Sequence, residues 1–206
     1  MKKLFVIVAL LLGTLPVFGL SLTDDELSAQ RLYIQAVSHK GDLDQVKKAE
    51  MAYRKLLKKE HTNLYYQLRI ASLTAVKAKH TFWPHEKMGF VNEGVRLFDR
   101  IERKVKAKNI RALSYEFHLY RGRTYINFPG FLKKRKLALA DLEKVAILAK
   151  QLKRPKEELG PFYLAYAQAL YKDGQKKKAK DYCNLALNNT LSDYELKAAK
   201  KLLRKR

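Results

Sequence analysis

The sequence has few of the residues that break helices or form covalent cross-links. Its 206 residues include five prolines, nine glycines and one cysteine, Cys183. A single cysteine excludes a disulfide within the chain, so packing alone must stabilise the fold, and we expect Cys183 to be a small buried side chain. Because helix breakers are scarce while Ala, Leu and Lys abound, the composition favours helix over sheet.

Long hydrophobic runs are absent after the first twenty residues. The N-terminus begins with Lys2 and Lys3, continues with the apolar run 4–12 and ends in small residues at Gly19 and Ser21. This order is typical of a secretory signal peptide. The sequence therefore predicts a signal peptide over residues 1–21 and an exported mature chain, residues 22–206, in the periplasm or outside the cell. A retained N-terminal anchor helix is the alternative, which the short apolar run disfavours.

Acidic residues are also scarce, because 20 Asp and Glu face 43 Lys and Arg, a formal net charge of +23. The cations form blocks at 133–136, 176–180 and 200–206. Such density favours an anionic partner such as a membrane or envelope surface. The alternative is that the blocks are solvated helix faces without a partner. Nucleic acid is disfavoured, since export argues against it and no binding motif is present.

Motifs for catalysis and for cofactors are absent. The chain has no HExxH, no GxSxG and no glycine-rich phosphate loop, so the sequence predicts neither an enzyme nor a cofactor or metal. His80 and His85 flank a Phe-Trp-Pro segment, and a metal pair is one interpretation of them. We expect instead that they line a loop whose Phe82 and Trp83 pack onto neighbouring helices.

Hydrophobic residues recur at helical spacing along the mature chain, and no segment alternates with a period of two. Thr23 with Glu26 predicts a capping box at the first helix, and Asn63 and Ser192 precede two further helices. Gly41 is expected to end the first helix and Gly174 to separate a late pair. The sequence therefore predicts an all-α fold of antiparallel helical hairpins.

Small and large apolar residues fall at fixed intervals on both sides of Gly174. They are Tyr163, Tyr166, Ala167, Leu170, Ala179, Cys183 and Ala186. This spacing resembles the tetratricopeptide repeat, of the kind found in exported bacterial proteins. Small residues at Ala167 and Ala179 would let the two helices of a hairpin approach closely, while Leu170 and Cys183 stand where the repeat prefers aromatic residues.

Three upstream segments follow the same pattern less closely. The matching positions are Ala36 with Ala49, Tyr53 and Leu56; Ala71 with Gly94, Phe98 and Ile101; and Gly122 and Tyr125 with Ala138, Leu142 and Val145. The resemblance implies a short right-handed solenoid of about three or four repeats within one domain, residues 22–206. A helical bundle without repeats is the alternative.

The resemblance also implies a concave groove lined by the first helix of each hairpin. Seven residues are predicted to face it: Tyr65, Arg69, Tyr120, Arg123, Asn127, Gln168 and Lys172. Aromatic rings beside such polar and cationic groups suit a protein or peptide partner, although the tyrosines are equally suited to packing. The set differs from the Lys/Asn arrangement of the repeats that clamp chaperone tails. The oligomeric state stays open.

The last segment is predicted to form a capping helix over the final hairpin. Leu191, Tyr194, Ala198 and Leu202 form its apolar stripe, and Lys and Arg occupy its outer side. A helix lying on a membrane surface is the alternative.

Overall fold

The computed structural model describes residues 22–38, 42–189 and 191–204, and within these ranges the fold is all-α, with no strand. The predicted signal peptide and Gly41 lie outside the described residues. The helices are α1 Asp24–Val37, α2 Leu43–Lys59, α3 Leu64–His80, α4 Pro84–Lys108, α5 Arg111–Tyr125, α6 Arg135–Gln151, α7 Gly160–Lys172, α8 Lys176–Leu187 and α9 Asp193–Leu203, with 3₁₀ turns at Gly130–Leu132 and Lys156–Leu159. The predicted all-α class is confirmed for these residues.

Helix starts follow the local sequence. The capping box of Thr23 with Glu26 is present, and the side chains of Asn63 and Ser192 accept hydrogen bonds at the starts of α3 and α9, as predicted. A further box at Asp42 and Gln45 begins α2. Sequence reasoning missed this one, although an acidic cap followed three residues later by Gln is a recognisable signal.

Gly174 ends α7 as expected. Its φ of +86° is in the left-handed region that favours glycine. The turn lets the Gln175 amide donate to the Leu170 carbonyl oxygen at 3.0 Å, which satisfies an acceptor at the helix end.

The described residues fall into two units, divided between Thr124 and Tyr125 within α5. Each unit is built from helices that pack on their neighbours in the chain. The single repeat domain expected over residues 22–206 stays a prediction.

In the first unit, residues 22–124, successive helices are antiparallel while α1 and α3 run parallel. Lys59, at the end of α2, contacts Asp25 at the start of α1 at 2.7 Å. The α1–α3 contacts keep a nearly constant register, since Glu26 pairs with Tyr66 at a separation of 40 residues and Tyr33 pairs with Ser72 at 39. A constant offset of this kind requires two helices that point the same way.

Helices α3 and α4 approach each other closely at Gly94. A Cβ placed there would lie 2.9 Å from the Cβ of Ala75 and 3.3 Å from its Cα. Gly94 is therefore a contact residue between helices, as the repeat pattern predicted, but the residue opposite it is Ala75 and not Ala71, which lies one turn earlier.

In the second unit, residues 125–204, the small residues around Gly174 are buried. Ala167, Leu170, Ala179, Cys183 and Ala186 are all closed to solvent, so α7 and α8 approach closely.

Helix α9 covers this pair, as predicted for a cap. Among the α9 side chains that the structure describes, Ala199 is fully buried against Ala167, Cys183 and Ala186, and Leu191, Ala198 and Leu202 are partly buried against the same residues. Three of the four predicted stripe residues thus contact the core, and Ala199 adds a deeper contact that was not predicted. The side chain of Tyr194 lies outside the described residues.

Candidate functional site

The guanidinium of Arg69 lies between two tyrosine rings. Its Cζ is 4.4 Å from the ring centroid of Tyr33 and 4.3 Å from that of Tyr120. The three residues come from α3, α1 and α5, and all three lie in the first unit. A planar guanidinium between two aromatic faces forms two cation–π contacts, each strengthened by the loss of surrounding water.

Hydrogen bonds fix this arrangement on both sides. Arg69 Nη2 donates to Gln30 Oε1 at 3.3 Å. The Tyr33 hydroxyl and Ser72 Oγ share a hydrogen bond at 3.1 Å, and Ser72 Oγ and Thr124 Oγ1 share another at 3.3 Å. The cluster therefore joins α1, α3 and α5 through polar contacts as well as through ring packing. We call it the Arg69 cluster: Gln30, Tyr33, Arg69, Ser72, Tyr120 and Thr124.

The surroundings of Arg69 and Tyr120 keep these two side chains in their ordinary charge states. Burial lowers the pKa of Arg69, but the surrounding tyrosines and Glu116 outweigh this, so its pKa lies above the ordinary value. Burial raises the pKa of Tyr120 despite the nearby cation. The guanidinium thus stays charged and the hydroxyl stays protonated at neutral pH. The cluster therefore holds a permanent positive charge between two aromatic rings.

Four of the seven predicted groove residues belong to the first unit. Arg69 and Tyr120 are brought into direct contact, and Tyr120 is buried, so its ring serves packing within the cluster. Tyr65 and Arg123 are partly exposed. They lie one turn from Arg69 on α3 and from Tyr120 on α5, and each therefore shares a helix face with its neighbour in the cluster.

The other three predicted groove residues belong to the second unit. Lys172 Nζ donates to the carbonyl oxygen of Ile126, beside Asn127, while Gln168 lies one turn before Lys172 on α7. Asn127 is exposed and Gln168 partly exposed. A role in ligand binding stays a prediction for all seven residues.

The expectation for Phe82 and Trp83 was wrong. Phe82 is 81% exposed and Trp83 is 56% exposed, and the two rings contact each other edge to face with centroids 5.2 Å apart. The Thr81–Trp83 connection between α3 and α4 is only three residues long, and it leaves the rings of Phe82 and Trp83 in solvent while Thr81 is buried. The aromatic character of Phe82 and Trp83 alone predicts that both rings are buried.

Two ion pairs in the first unit, each with one buried partner, were also not anticipated. Glu50 of α2 pairs with Lys77 of α3, and it contacts Arg54 at 2.6 Å. Glu102 of α4 pairs with Arg121 of α5 at 2.9 Å. These pairs link neighbouring helices, so their role is in the packing of the fold.

Sequence reasoning missed Gln30, Tyr33, Ser72 and Thr124 of the Arg69 cluster. The sequence carried a recognisable signal for them, because each is a polar or hydroxyl-bearing residue within the apolar stripe of α1, α3 or α5. A polar group buried there needs a hydrogen-bond partner. Which residues would meet depended on the register of α1, α3 and α5, which the spacing within single helices does not give.

Across the described ranges 22–38, 42–189 and 191–204, no group of three or more His, Cys, Asp and Glu side chains is placed to hold a metal ion. No helix among the same residues has the length and hydropathy to cross a membrane. Comparison with protein-family models, with curated proteins and with solved structures finds no match for this chain.

Proposed function

We propose that the protein is a non-enzymatic interaction module that binds a protein or peptide on the face formed by α1, α3 and α5. The observation that carries the proposal is the partly exposed Arg69, held between Tyr33 and Tyr120 where α1, α3 and α5 meet. A guanidinium fixed by packing loses little conformational freedom on binding, which favours recognition of a carboxylate.

We further propose that the hairpins form a short tetratricopeptide-like solenoid, with this face as its concave side. The constant register of α1 and α3 supports the repeat, since stacked repeats place equivalent helices side by side. The buried small residues Ala167 and Ala179 support it in the second unit. The mature chain, residues 22–206, acts after export in the periplasm or outside the cell.

The ligand is proposed to be an extended segment with acidic groups. Arg123 and Tyr65 flank the Arg69 cluster on α5 and α3 and are partly exposed. A phenol and two guanidinium groups along one face suit carboxylates spaced along a peptide.

Affinity capture at two salt concentrations tests this proposal. The protein purified after natural processing is immobilised beside a Tyr65→Ala/Arg123→Gln variant and exposed to the exported protein fraction. We expect a discrete partner that the wild type retains as salt rises and that the variant loses. Groove binding should weaken only modestly with ionic strength, because part of its free energy comes from buried aromatic surface.

The alternative is that the cation blocks bind an anionic envelope surface without a groove. That function predicts binding that collapses steeply with salt and is equal in wild type and variant. Such a result would overturn the peptide-binding proposal.

A further inference from the structure

The Thr81–Trp83 loop presents two large aromatic rings to solvent. Phe82 is 81% exposed, Trp83 is 56% exposed, and the His85 ring lies 6.4 Å from the indole. Adjacent exposed rings form a contiguous apolar patch, which in a soluble domain usually marks a contact surface.

The loop is held firmly by backbone contacts and by Thr81. Thr81 is buried and its hydroxyl donates to the Lys77 carbonyl oxygen at 2.9 Å. Pro84 occupies the first turn of α4, and the Lys87 amide donates to the Trp83 carbonyl oxygen at 3.0 Å. The exposure of the rings is therefore a property of the folded loop.

Trp83 occupies the N-cap position of α4, and its side chain forms no capping hydrogen bond. Ser, Thr, Asp or Asn at this position would stabilise the helix by about 1 kcal/mol. An exposed indole neither caps the helix nor buries apolar surface. The stability of the fold therefore does not explain why tryptophan occupies this position.

The charges beside the rings are mainly positive. Lys79 and Lys87 are exposed on the two sides of the loop, and His85 is exposed between them. Glu86 is the one acid in residues 79–87. Apolar rings flanked by lysines match the boundary of an anionic bilayer, where indole rings favour the headgroup level and each lysine adds about 1 kcal/mol.

We propose that this loop docks on a bilayer that contains anionic phospholipid. Phe82 and Trp83 enter the headgroup region while Lys79 and Lys87 contact phosphates. The inference does not depend on peptide binding by the Arg69 cluster, because it uses a different surface and a different ligand.

The second unit carries a loop of similar composition. Phe131 is 70% exposed in the 3₁₀ turn after α5, and Lys133, Arg135 and Lys136 are exposed beside it. An exposed ring with cations thus recurs at a second connection between helices, which supports a common use.

Trp83 is the only tryptophan of the chain, so intrinsic fluorescence reports on this loop directly. The naturally processed protein is titrated with phosphatidylcholine vesicles that contain or lack phosphatidylglycerol. We expect the emission to shift to the blue only with the anionic vesicles, and lipids brominated in the acyl chain to quench it.

Three variants separate the contributions. We expect Phe82→Ser to weaken vesicle binding about tenfold, because one ring no longer leaves water. We expect the Lys79→Ser/Lys87→Ser variant to weaken it by about tenfold or more on anionic vesicles. Met51→Ser is the matched control, since Met51 is 70% exposed on α2, away from the loop, and its loss should leave binding unchanged.

Several results would overturn the proposal. An emission unchanged by anionic vesicles would do so, as would binding that Phe82→Ser leaves at the wild-type level. A blue shift that grows with protein concentration without vesicles would assign the rings to a second copy of the chain. A shift seen only with a soluble protein fraction would assign them to a protein pocket.

Discussion

The guanidinium carbon of Arg69 lies 4.3 Å from the centre of the Tyr120 ring, and this contact joins α3 to α5. Tyr33 of α1 covers the other face of the same guanidinium. Because α1, α3 and α5 meet at this one side chain, the Arg69 cluster links the three helices through a single cation.

We expect Arg69→Lys to lower the free energy of unfolding by about 1–2 kcal/mol. An ammonium keeps the charge but lacks the planar surface that stacks on two rings. Urea unfolding of the variant measures the change. Arg96→Lys is the control, since Arg96 is exposed on α4 and should tolerate the exchange. Equal urea midpoints for the two variants would show that the stacking contributes nothing.

We expect Gly94→Ala to destabilise the protein by about 1–3 kcal/mol, although alanine is the better helix former. The new Cβ would lie 2.9 Å from the Cβ of Ala75, so α3 and α4 would have to separate. Gly89→Ala is the matched control on the same helix, because nothing lies within 4 Å of its added Cβ. That variant should be about 0.5–1 kcal/mol more stable than the wild type. Thermal melts that rank the variants in the opposite order would exclude the close contact.

The reactivity of Cys183 should report on the docking of α9. Its thiol is buried and donates to the Ala199 carbonyl oxygen at 3.2 Å, and burial raises the pKa of Cys183. We therefore expect slow reaction with an aromatic disulfide reagent in the intact protein, and fast reaction once residues 191–206 are removed. Lys200→Ser/Lys201→Ser should keep the slow rate, since these side chains are exposed.

A truncated protein that stays monomeric, keeps a slow thiol and loses only vesicle binding would contradict the capping role. In that case α9 would be a membrane-surface helix.

Acid should weaken the contact between α4 and α5. Burial raises the pKa of Glu102, but hydrogen bonds from Lys106 and Arg121 outweigh it, so its pKa is below the ordinary value. A carboxyl whose pKa is lowered by folding stabilises the fold at pH values above its pKa in the unfolded chain, which is about 4.3. This contribution disappears as the pH falls through the pKa that the carboxyl has in the folded protein.

Urea midpoints measured from neutral pH down through this range should fall more steeply for the wild type than for Glu102→Gln. Glu86→Gln removes an exposed carboxylate from the same helix and serves as the control. Parallel curves for wild type and Glu102→Gln would contradict the role of this carboxylate.

The helices could be predicted from the sequence because their signals are local. The Thr23–Glu26 box, the Asn63 cap and the Gly174 turn each depend on residues within one turn of one another. The burial of Ala167 and Ala179 also followed from spacing, since close helix contacts require small side chains.

The Arg69 cluster and the exposed Phe82 could not be predicted in the same way. Contacts of Arg69 with Tyr33 and Tyr120 join residues that are far apart in the chain, and their meeting depends on how neighbouring hairpins are aligned. Phe82 is apolar, so hydropathy predicts burial. Only the short connection between α3 and α4 turns it outwards.

Site-specific photo-crosslinking tests the proposed function most directly. A benzophenone amino acid replaces Tyr65, partly exposed one turn from Arg69, or Met51, 70% exposed on α2. Both proteins are irradiated in the exported fraction, where the partner is expected. The proposal predicts a discrete protein adduct from position 65, lost when Arg123→Gln is added, and none from position 51. No adduct at position 65, or the same adducts at both positions, would contradict ligand binding on the face of α1, α3 and α5.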